Sequence, residues 1–508
     1  MPSIAKDVTV GVIGAGTMGA GIAQVAAAAG HPVLLYDIAE GAAERGKQGI
    51  AKILARSVER GRIDTGERDA TLGRITLAAT LADMAPAGLV IEAVLEDLDV
   101  KRMLFGEVEG LVADDAILAS NTSSLSITAI AAEFRRPERC VGMHFFNPAP
   151  ILPLVEVVSG FKTDRAVAET VFATAEAWGK KPVHARSTPA FIVNRVARPF
   201  YGEGLRILGE GIADVPTVDA VITESGGFRM GPFTLLDLVG IDVNFAVTQS
   251  VYNAFFQDPR YQPSIIQREY VEAGLLGRKS GRGFYDYAEG AEKPAPRTAP
   301  TASRPEAVVI EGDLGIAEPL VGLIEAAGLP LYRDKQGSDV DPAIILDDVV
   351  LRLCDGRTAT ERDAEDVREL VLFDLALDYA TCSRIAVAPA DRAPDHAIAV
   401  AVGFFQALGK QVSVIDDGPG MIVTRTVCML ANEGADAVQK GVCDAAAVDT
   451  AMRMGVNYPQ GPCAWADALG AGHVVTVLDN MARTYGEDRY RASPLLRRLA
   501  QSGRRFHG

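Results

Sequence analysis

The sequence has little of several residue types whose clusters mark particular classes of protein. Basic residues are outnumbered, with 50 Lys and Arg against 66 Asp and Glu and a formal net charge of −16. This balance argues against a nucleic-acid partner, because phosphate binding needs a broad basic surface. The six cysteines form no CxxC pair, and no Cys/His cluster has zinc spacing, so we expect reduced thiols, no metal and a cytoplasmic location.

Long apolar runs are also missing, and the N-terminal residues lead us to expect no secretion leader. The apolar stretch at 22–29 is too short to span a bilayer, and the N-terminus enters the strand-like VTVGVI without an h-region. We therefore expect no membrane segment. Hydrophobic residues are 48% and charged residues 23%, which is typical of a folded chain. The length of 508 residues indicates about three or four domains.

The first 37 residues carry a dinucleotide-binding pattern. The apolar run VTVGVI is followed by GAGTMG, an alanine-rich helical segment and a second apolar run, PVLLYD. This order is typical of a βαβ unit, and in that context GxGxxG predicts a pyrophosphate site at the helix N-terminus. Asp37 is expected to accept hydrogen bonds from both ribose hydroxyls and to repel a 2′-phosphate, which favours NAD over NADP. The expected cofactor residues here are Gly14, Gly16, Thr17, Met18, Gly19 and Asp37.

The rest of the chain is divided by a change from strand-like to helical residue patterns and by an internal repeat. Strand-like runs continue to LVEVV at 154–158, where we expect the sheet to end, and helical text follows. TPAFIVNRVARPFYGEG at 188–204 aligns with GPGMIVTRTVCMLANEG at 418–434, at a constant offset of 230. The predicted segments are an α/β Rossmann domain (1–187), an all-α domain (188–287), a Pro- and Ala-rich linker (288–306), a degenerate Rossmann-like domain (307–417) and a second all-α copy (418–508).

Two polar residues stand inside apolar strand-like runs. His144 lies in VGMHFFNPAP and Glu156 in PLVEVV. A histidine in such a place is either hydrogen-bonded in the core or catalytic, and taken alone the core interpretation is favoured. A buried carboxylate is costly without a partner, and pairing with an imidazole would relieve both groups. This pair is the candidate acid–base centre.

Several motifs together resemble the 3-hydroxyacyl-CoA dehydrogenase family over residues 8–287. SNTSSLSI, HFFNPAP, LVEVV, TPAFIVNR and GRKSGRGFYDY follow the glycine fingerprint in this order. The repeat at 418–490 resembles the same family's C-terminal domain, and the tandem layout is similar to the long bacterial form, which includes 3-hydroxybutyryl-CoA and 3-hydroxyadipyl-CoA dehydrogenases. The resemblance implies reversible, NAD-dependent oxidation of (S)-3-hydroxyacyl-CoA to 3-oxoacyl-CoA.

The resemblance also implies a role for individual residues. His144 matches the general base, Glu156 the carboxylate that orients it, Ser123 a contact of both substrate and cofactor, and Asn194 the amide that binds the substrate's oxygens. Further cofactor contacts are implied at Glu96, Lys101, Asn147 and Lys279. Ala190 stands where the family usually has Gly, a departure that adds one methyl and that we expect to be minor.

A basic stripe supports an acyl-CoA substrate. Lys52, Arg56 and Arg60 are spaced i, i+4, i+8, which places them on one face of a helix and suits the phosphates of coenzyme A. A solvated helix face is an equally good interpretation, because Glu44 and Glu59 lie nearby. Two other functions also stay open: an NAD-dependent hydroxy-acid or sugar-acid dehydrogenase that does not use CoA, and a non-catalytic NAD-binding structural protein.

The second half is expected to be catalytically silent. Aligning VVIEGDLG with the glycine fingerprint puts Ile310 at Gly14 and Glu311 at Ala15, and Thr424 replaces Asn194 in the repeat. No counterpart of HFFNP or LVEVV is evident before 418. We expect the two helical copies, 188–287 and 418–490, to pack as an internal pseudo-dimer, with further homo-oligomerisation left open.

Overall fold

The computed structural model describes residues 2–334, 341–364 and 369–508. Over these residues the chain forms two compact units, one of Met1–Arg195 with Lys440–Val456, the other of Val196–Gln439 with Asn457–Gly508. No helix in the described ranges is both long and apolar enough to cross a membrane.

The first unit contains an eight-stranded sheet in its described residues, with strand order β3-β2-β1-β4-β5-β6-β7-β8. The strands are parallel except that β7 runs antiparallel to β6. They are β1 Thr9–Ile13, β2 Val33–Tyr36, β3 Ile75–Leu77, β4 Ala87–Glu92, β5 Ile117–Ser120, β6 Cys140–Phe145, β7 Leu154–Ser159 and β8 Lys181–Arg186. Its helices before residue 196 are α1 Thr17–Ala28, α2 Ala42–Glu59, α3 Thr65–Gly73, α4 Leu98–Leu111, α5 Ile127–Ile130, α6 Arg165–Ala177 and α7 Val193–Val196.

The expectation that this sheet ends at 154–158 was wrong. Strand β8 continues it and pairs in parallel with β7. Its sequence, KPVHAR, contains a proline and three basic or titratable residues. It therefore lacks the apolar pattern by which a strand is recognised in a sequence. Such residues are tolerated here because β8 is the edge strand, where one side needs no ladder hydrogen bonds.

The second unit combines helices of both repeat copies with a second sheet. In the described residues this sheet has seven strands, ordered β10-β9-β11-β12-β13-β14-β15. The elements from residue 197 onward are α8 Arg198–Gly209, α9 Val215–Glu224, α10 Pro232–Val239, α11 Ile241–Ala254, α12 Ile265–Glu272, β9 Val308–Glu311, α13 Pro319–Ala326, β10 Leu331–Asp334, β11 Ala343–Leu346, β12 Val349–Leu353, α14 Ala359–Asp363, β13 Glu369–Phe373, β14 Arg384–Pro389, α15 Asp395–Ala407, β15 Gln411–Val414, α16 Val423–Gln439, α17 Ala445–Gly455 (part of the first unit), α18 Pro462–Leu469, α19 Ala471–Tyr485 and α20 Pro494–Ser502.

This second sheet is a degenerate counterpart of the first. Strand β11 runs antiparallel to β9 and to β12, where the first sheet has parallel neighbours on both sides of β4. The last three strands keep the first sheet's pattern, because β14 is antiparallel to β13 and parallel to β15. Their register is also kept at the offset of 230: Met143 faces Val157 in the first sheet, and Phe373 faces Val387 in the second. The structure therefore supplies the strand pair before residue 418 that sequence comparison missed.

The expected alignment of the degenerate glycine fingerprint was also wrong, by two residues. Ile310 and Glu311 belong to strand β9, and Gly312 follows that strand at φ +72°, as Gly14 follows β1 at φ +97°. The alternating pattern of VVIE extends the strand further than the glycine spacing indicated. The real departures lie after Gly312, where Asp313 and Leu314 replace the small residues of the turn.

Reciprocal hydrogen bonds join helices of the two repeat copies inside the second unit. Glu203 accepts from Arg489 (2.9 and 3.0 Å) and from the Tyr490 hydroxyl (3.0 Å). Glu433, the repeat equivalent of Glu203, accepts from Arg260 (3.3 Å) and from the Tyr261 hydroxyl (2.6 Å). The Arg-Tyr pairs occupy matching places in the two copies. Each copy therefore presents the same donors to the same acceptor of the other, as in an isologous interface.

The predicted linker has no helix or strand and lies against the second sheet domain. Its Ala299 N–H donates to Val412 O (2.8 Å), and its Ala302 N–H donates to the Gln406 side chain (2.9 Å). The segment therefore serves as an anchored strap along part of its length.

Candidate active site

The glycine turn of the first unit forms a close-packed cradle. A Cβ at Gly14 would lie 2.5 Å from the Ala93 carbonyl oxygen, and one at Gly19 would lie 1.7 Å from the Gly14 carbonyl oxygen. Both positions therefore require glycine. A Cβ at Gly16 would meet nothing within 4 Å, which leaves open space above the backbone where a pyrophosphate can approach. Thr17 and Met18 lie in the first turn of α1, beside this space.

Asp37 is fixed at the end of β2 against the same turn. Its carboxylate accepts the Ala15 N–H at 2.7 Å and the Ala39 N–H at 2.9 Å. A cleft of about 540 Å³ extends from this point between α1 and α2. Its lining includes Ala15, Gly16, Thr17, Asp37, Gly49, Ile53, Pro148 and Pro150. The open glycine turn and the adjacent acid fit an adenine dinucleotide bound through its pyrophosphate and ribose.

His144 and Glu156 are register partners on the antiparallel strands β6 and β7. Their side chains meet on one face of the sheet, with 2.6 Å between His144 Nδ1 and Glu156 Oε2. The carboxylate fixes a proton on Nδ1, so Nε2 is the nitrogen that can accept another. The rings of Phe146 and Phe191 lie 4.4 and 6.0 Å from the imidazole, centre to centre.

The turn before α7 holds the other oxygen of Glu156. The N–H groups of Ile192 and Val193 both donate to Glu156 Oε1, each at 3.0 Å. With the His144 contact, these hydrogen bonds engage both oxygens of a carboxylate that is 0% exposed. Asn194 follows directly and is half-buried.

Ala190 in this turn carries more strain than its single methyl indicated. Ala190 and Phe191 have φ values of +62° and +50°, in the left-handed region. The equivalent residues of the repeat, Gly420 and Met421, have +75° and +51°. A left-handed alanine costs roughly 1 kcal/mol or more relative to glycine. The added methyl is small, as expected, but the prediction that this departure is minor was wrong for the backbone conformation of Ala190.

A buried ion pair supports the loop that carries Ser123. Lys101 is 1% exposed and its amine lies 2.8 Å from Glu92 and 3.4 Å from Glu96. Glu96 in turn accepts the Ser123 N–H at 3.0 Å and the Thr122 hydroxyl at 2.6 Å. Burial raises the pKa of Glu96, but the Thr122 hydrogen bond and the Lys101 charge outweigh it and leave that pKa below its usual value. Lys101 therefore supports the loop through Glu96, from beneath the surface.

Glu92, Ser120 and Asn121 complete this support and were missed by sequence reasoning. Ser120 donates to Glu92, and the Phe145 N–H donates to the Asn121 side-chain oxygen at 2.8 Å, which ties the serine loop to the histidine strand. The available signal was a carboxylate at the end of the apolar run GLVIE, a position that demands a buried partner.

The remaining predicted residues lie in different surroundings. Asn147 is exposed and precedes Pro148 through a cis peptide bond, at the edge of the cleft. Lys279 lies in the second unit, where its amine is 2.5 Å from Asp242. Its contact with the cofactor stays a prediction.

The basic stripe lies on the exposed face of α2. Lys52 and Arg56 are exposed, and Arg60 caps the helix C-terminus. Helical spacing places Arg56 and Arg60 on the same face as Gly49 and Ile53, which line the cleft. The stripe therefore continues the cleft wall outward, and Ile53 beside it is an exposed apolar residue, 49% accessible.

The second sheet carries a different polar group at the same place. Asp374 occupies the position of His144, and Ala386 occupies that of Glu156. The Asp374 carboxylate accepts the N–H groups of Ile422 (3.0 Å) and Val423 (2.7 Å), the equivalents of the two donors to Glu156. The helix turn is capped in both halves, but the strand position that carries an imidazole in the first half carries Asp374 in the second.

One cluster within the described ranges has metal-ligand geometry. The ligand atoms of Asp348, Glu369 and His396 lie within 4.8 Å of one another in the second unit. The sequence indicated no metal site, and spacing could not reveal this cluster, because its members come from a turn, a strand and a helix that are separated along the chain.

Comparison with known families covers most of the chain outside residues 288–350. Residues 9–188 match the 3-hydroxyacyl-CoA dehydrogenase NAD binding domain, and residues 191–287 and 420–505 both match that family's C-terminal domain. Residues 351–419 match the 3-hydroxybutyryl-CoA dehydrogenase reduced Rossmann-fold domain.

Individual relatives agree with these matches. The chain is 44% identical to 3-hydroxyadipyl-CoA dehydrogenase of Escherichia coli K12 over 97% of both chains. It is 42% identical to a 3-hydroxybutyryl-CoA dehydrogenase of Mycobacterium tuberculosis over 55% of this chain and 98% of that protein. The crystal structure of 3-hydroxybutyryl-CoA dehydrogenase from E. coli K12 superposes with a TM-score of 0.89 at 43% identity, over 98% of this chain and all of that one.

Proposed function

Because the chain belongs to the 3-hydroxyacyl-CoA dehydrogenase family, we propose that His144 is the general base of its reaction and that Glu156 orients it. The protein is an NAD-dependent 3-hydroxyacyl-CoA dehydrogenase, which oxidises the 3-hydroxyl of an acyl-CoA to a ketone and runs in both directions. The observation that carries the assignment is the 2.6 Å contact of the two side chains in the unit that also holds the dinucleotide cradle.

In the proposed step the alcohol loses a hydride and a proton, and a different group accepts each. NAD, when bound, accepts the hydride from C3. Nε2 of His144 takes the hydroxyl proton, and the Glu156 carboxylate stabilises the imidazolium that forms. The two N–H groups on Glu156 Oε1 keep that carboxylate from turning away. We place Ser123 and Asn194 on the substrate's oxygens, Ser123 also against the cofactor with Asn147 and Glu96.

The substrate's coenzyme A is assigned to the outer wall of the cleft. Arg56 and Arg60 continue the cleft-lining face of α2, and in a chain of net charge −16 they form a local attraction for phosphates. The exposed Ile53, one turn before Arg56 on the same helix face, provides an apolar surface beside those charges. The long relative named for 3-hydroxyadipyl-CoA and the shorter ones named for 3-hydroxybutyryl-CoA make these two acyl groups the first to compare.

The reaction class is tested with matched substrates. NADH oxidation with acetoacetyl-CoA should proceed readily, whereas free acetoacetate and sugar-derived keto acids should react at rates near background. A higher kcat/KM for the free acids would replace this function with the CoA-independent dehydrogenase. Comparing kcat/KM for 3-hydroxybutyryl-CoA and 3-hydroxyadipyl-CoA then assigns the acyl group.

We further propose that the second helical copy takes the place of a partner subunit. The reciprocal contacts of Glu203 and Glu433 support an internal pseudo-dimer, which leaves homo-oligomerisation open. A chain ending at Tyr287 should lose the partners of Glu203 and then dimerise or aggregate. A truncated chain that stayed a soluble, fully active monomer would contradict this. The five-segment division of the sequence stays a prediction, as does the cytoplasmic location, which the six free cysteines favour.

A further inference from the structure

Helix α17 comes from the second repeat copy but is part of the first unit. The segment Lys440–Val456 is separated from Arg195 by the whole second sheet domain, yet it packs against β7 and β8. Val442 O accepts the Arg186 N–H at 2.8 Å, which attaches the segment to the end of β8. The catalytic sheet is thus covered by a helix encoded some 260 residues after that strand ends.

Gly455, at the end of α17, touches both elements that hold Glu156. A Cβ at this position would lie 2.6 Å from Leu154 Cδ2 and 3.2 Å from Val193 Cγ2. Leu154 begins the strand that carries Glu156, and the Val193 N–H donates to Glu156 Oε1. Because Gly455 has no side chain, its backbone can pack closely against both the strand and the capping turn.

The second unit contains the mirror arrangement. Helix α9, from the first repeat copy, packs against β14 of the second sheet. Ile212 O accepts the Asp416 N–H at 3.0 Å, and Ser225 Oγ donates to Arg384 O at 2.7 Å. Residues 212, 225, 384 and 416 are the repeat equivalents of 442, 455, 154 and 186, all at the offset of 230. Each copy thus gives one helix to the other copy's sheet, as in a domain swap.

From this exchange we infer that the second half completes the catalytic unit: α17 positions Glu156, with Gly455 as its contact residue. This rests on the proposed roles of His144 and Glu156. Cys443, at the other end of the segment, adds no competing charge, because burial and the negative charge of Glu156 raise the pKa of its thiol to about 12. The catalytically silent half is retained in part because the active half needs its helix.

The test places equal bulk at the two equivalent positions of the full-length enzyme. Gly455→Val should lower kcat roughly ten- to hundredfold, since displacing a catalytic group by about 1 Å costs on the order of a hundredfold. NADH affinity and the KM for acetoacetyl-CoA should stay within about twofold. Gly455→Ala should give a smaller loss, because the Leu154 side chain can turn aside. The matched control, Ser225→Val, adds bulk against the second sheet and should lower the melting temperature while leaving kcat unchanged.

Three results would overturn the inference: equal kcat losses in Gly455→Val and Ser225→Val, no loss in Gly455→Val, or a rise in KM alone. If Gly455→Val does not fold, Gly455→Ala alone and with Leu154→Ala decides, since making room at Leu154 should restore part of kcat. A failure to restore any would count against the inference. Wild-type turnover in Glu156→Gln would instead remove the proposed function itself.

Discussion

Strands β6–β7 and β13–β14 have the same register and cap the same turn, but they use different side chains to do so. In the first pair, Glu156 caps the turn with one oxygen and holds His144 with the other. In the second pair, Asp374 stands at the histidine's position and caps the turn directly, with Ala386 opposite. The capping requirement thus belongs to the fold, because both halves meet it. The imidazole at this position, which we propose as the general base, is found in the first pair and is replaced by Asp374 in the second.

The largest expected effect is on turnover, and changes to the first strand pair should cause it whereas a change to the second should not. His144→Gln and Glu156→Gln should each lower kcat with acetoacetyl-CoA by about 10²–10⁴-fold, with NADH affinity nearly intact. Asp374→Asn should leave the turnover of the folded enzyme unchanged. Steady-state kinetics and NADH fluorescence titration measure both quantities. A His144→Gln enzyme with wild-type turnover would refute the assignment.

Cofactor binding should also differ between the two halves, because we expect NAD to bind to the first half and not to the second. Asp37 should favour NADH over NADPH on the order of a hundredfold, since bringing like charges together costs several kcal/mol. Asp37→Ala should narrow that gap. Calorimetry should find one NAD per chain, because Asp313 and Leu314 replace the open turn in the second half. Two sites per chain, or equal use of both cofactors by the wild type, would contradict this pair of expectations.

Asp374 should matter to stability as Glu156 matters to turnover. Asp374→Ala leaves the buried N–H groups of Ile422 and Val423 without their acceptor and should lower the free energy of unfolding by about 2–4 kcal/mol. Asp378→Ala, an exposed carboxylate four residues later, should cost under about 1 kcal/mol. Denaturant melts of both variants give the comparison. A small effect at Asp374 would mean that the turn is held by other contacts.

Much of the molecule can be predicted from local sequence. GAGTMG and Asp37 lie within one βαβ unit, and the proposed pair His144 and Glu156 comes from adjacent strands, so short sequence patterns indicate them. The unpredicted features depend on long-range placement or on an edge position. Strand β8 was not predicted because it contains Pro182, a residue that a sheet tolerates in an edge strand. Asp374 and Ala386 retain no identity with His144 and Glu156, so strand register and the offset of 230 reveal the equivalence where residue identity does not.

The basic stripe offers a smaller test, within the active half alone. Arg56→Glu with Arg60→Glu should raise the KM for acetoacetyl-CoA about tenfold and make it less sensitive to salt, with the NADH KM unchanged. Arg165→Glu, at a side chain that is 92% exposed on α6, is the control and should change neither KM. An unchanged KM for the CoA substrate would leave the stripe as a solvated helix face.

The smallest effect concerns the turn that both halves share. Ala190→Gly relieves a left-handed alanine and should raise the free energy of unfolding by up to about 1 kcal/mol; the repeat already has glycine at the equivalent position, Gly420. Ala173→Gly, within helix α6, should lower it by about 1 kcal/mol. Thermal melts with opposite signs are expected. A destabilised Ala190→Gly protein would show that the methyl packs well enough to outweigh its backbone strain.

The membership of α17 in the first unit also has a consequence during synthesis. Domains usually fold as they leave the ribosome, but this unit lacks its final helix until residue 456 has been made. At about 5–20 residues per second, the nascent strands β7 and β8 wait roughly 10–50 s with an apolar face uncovered. During that interval the exposed apolar surface is prone to aggregation, and we expect the yield of active protein to depend on how fast residues 187–456 are translated.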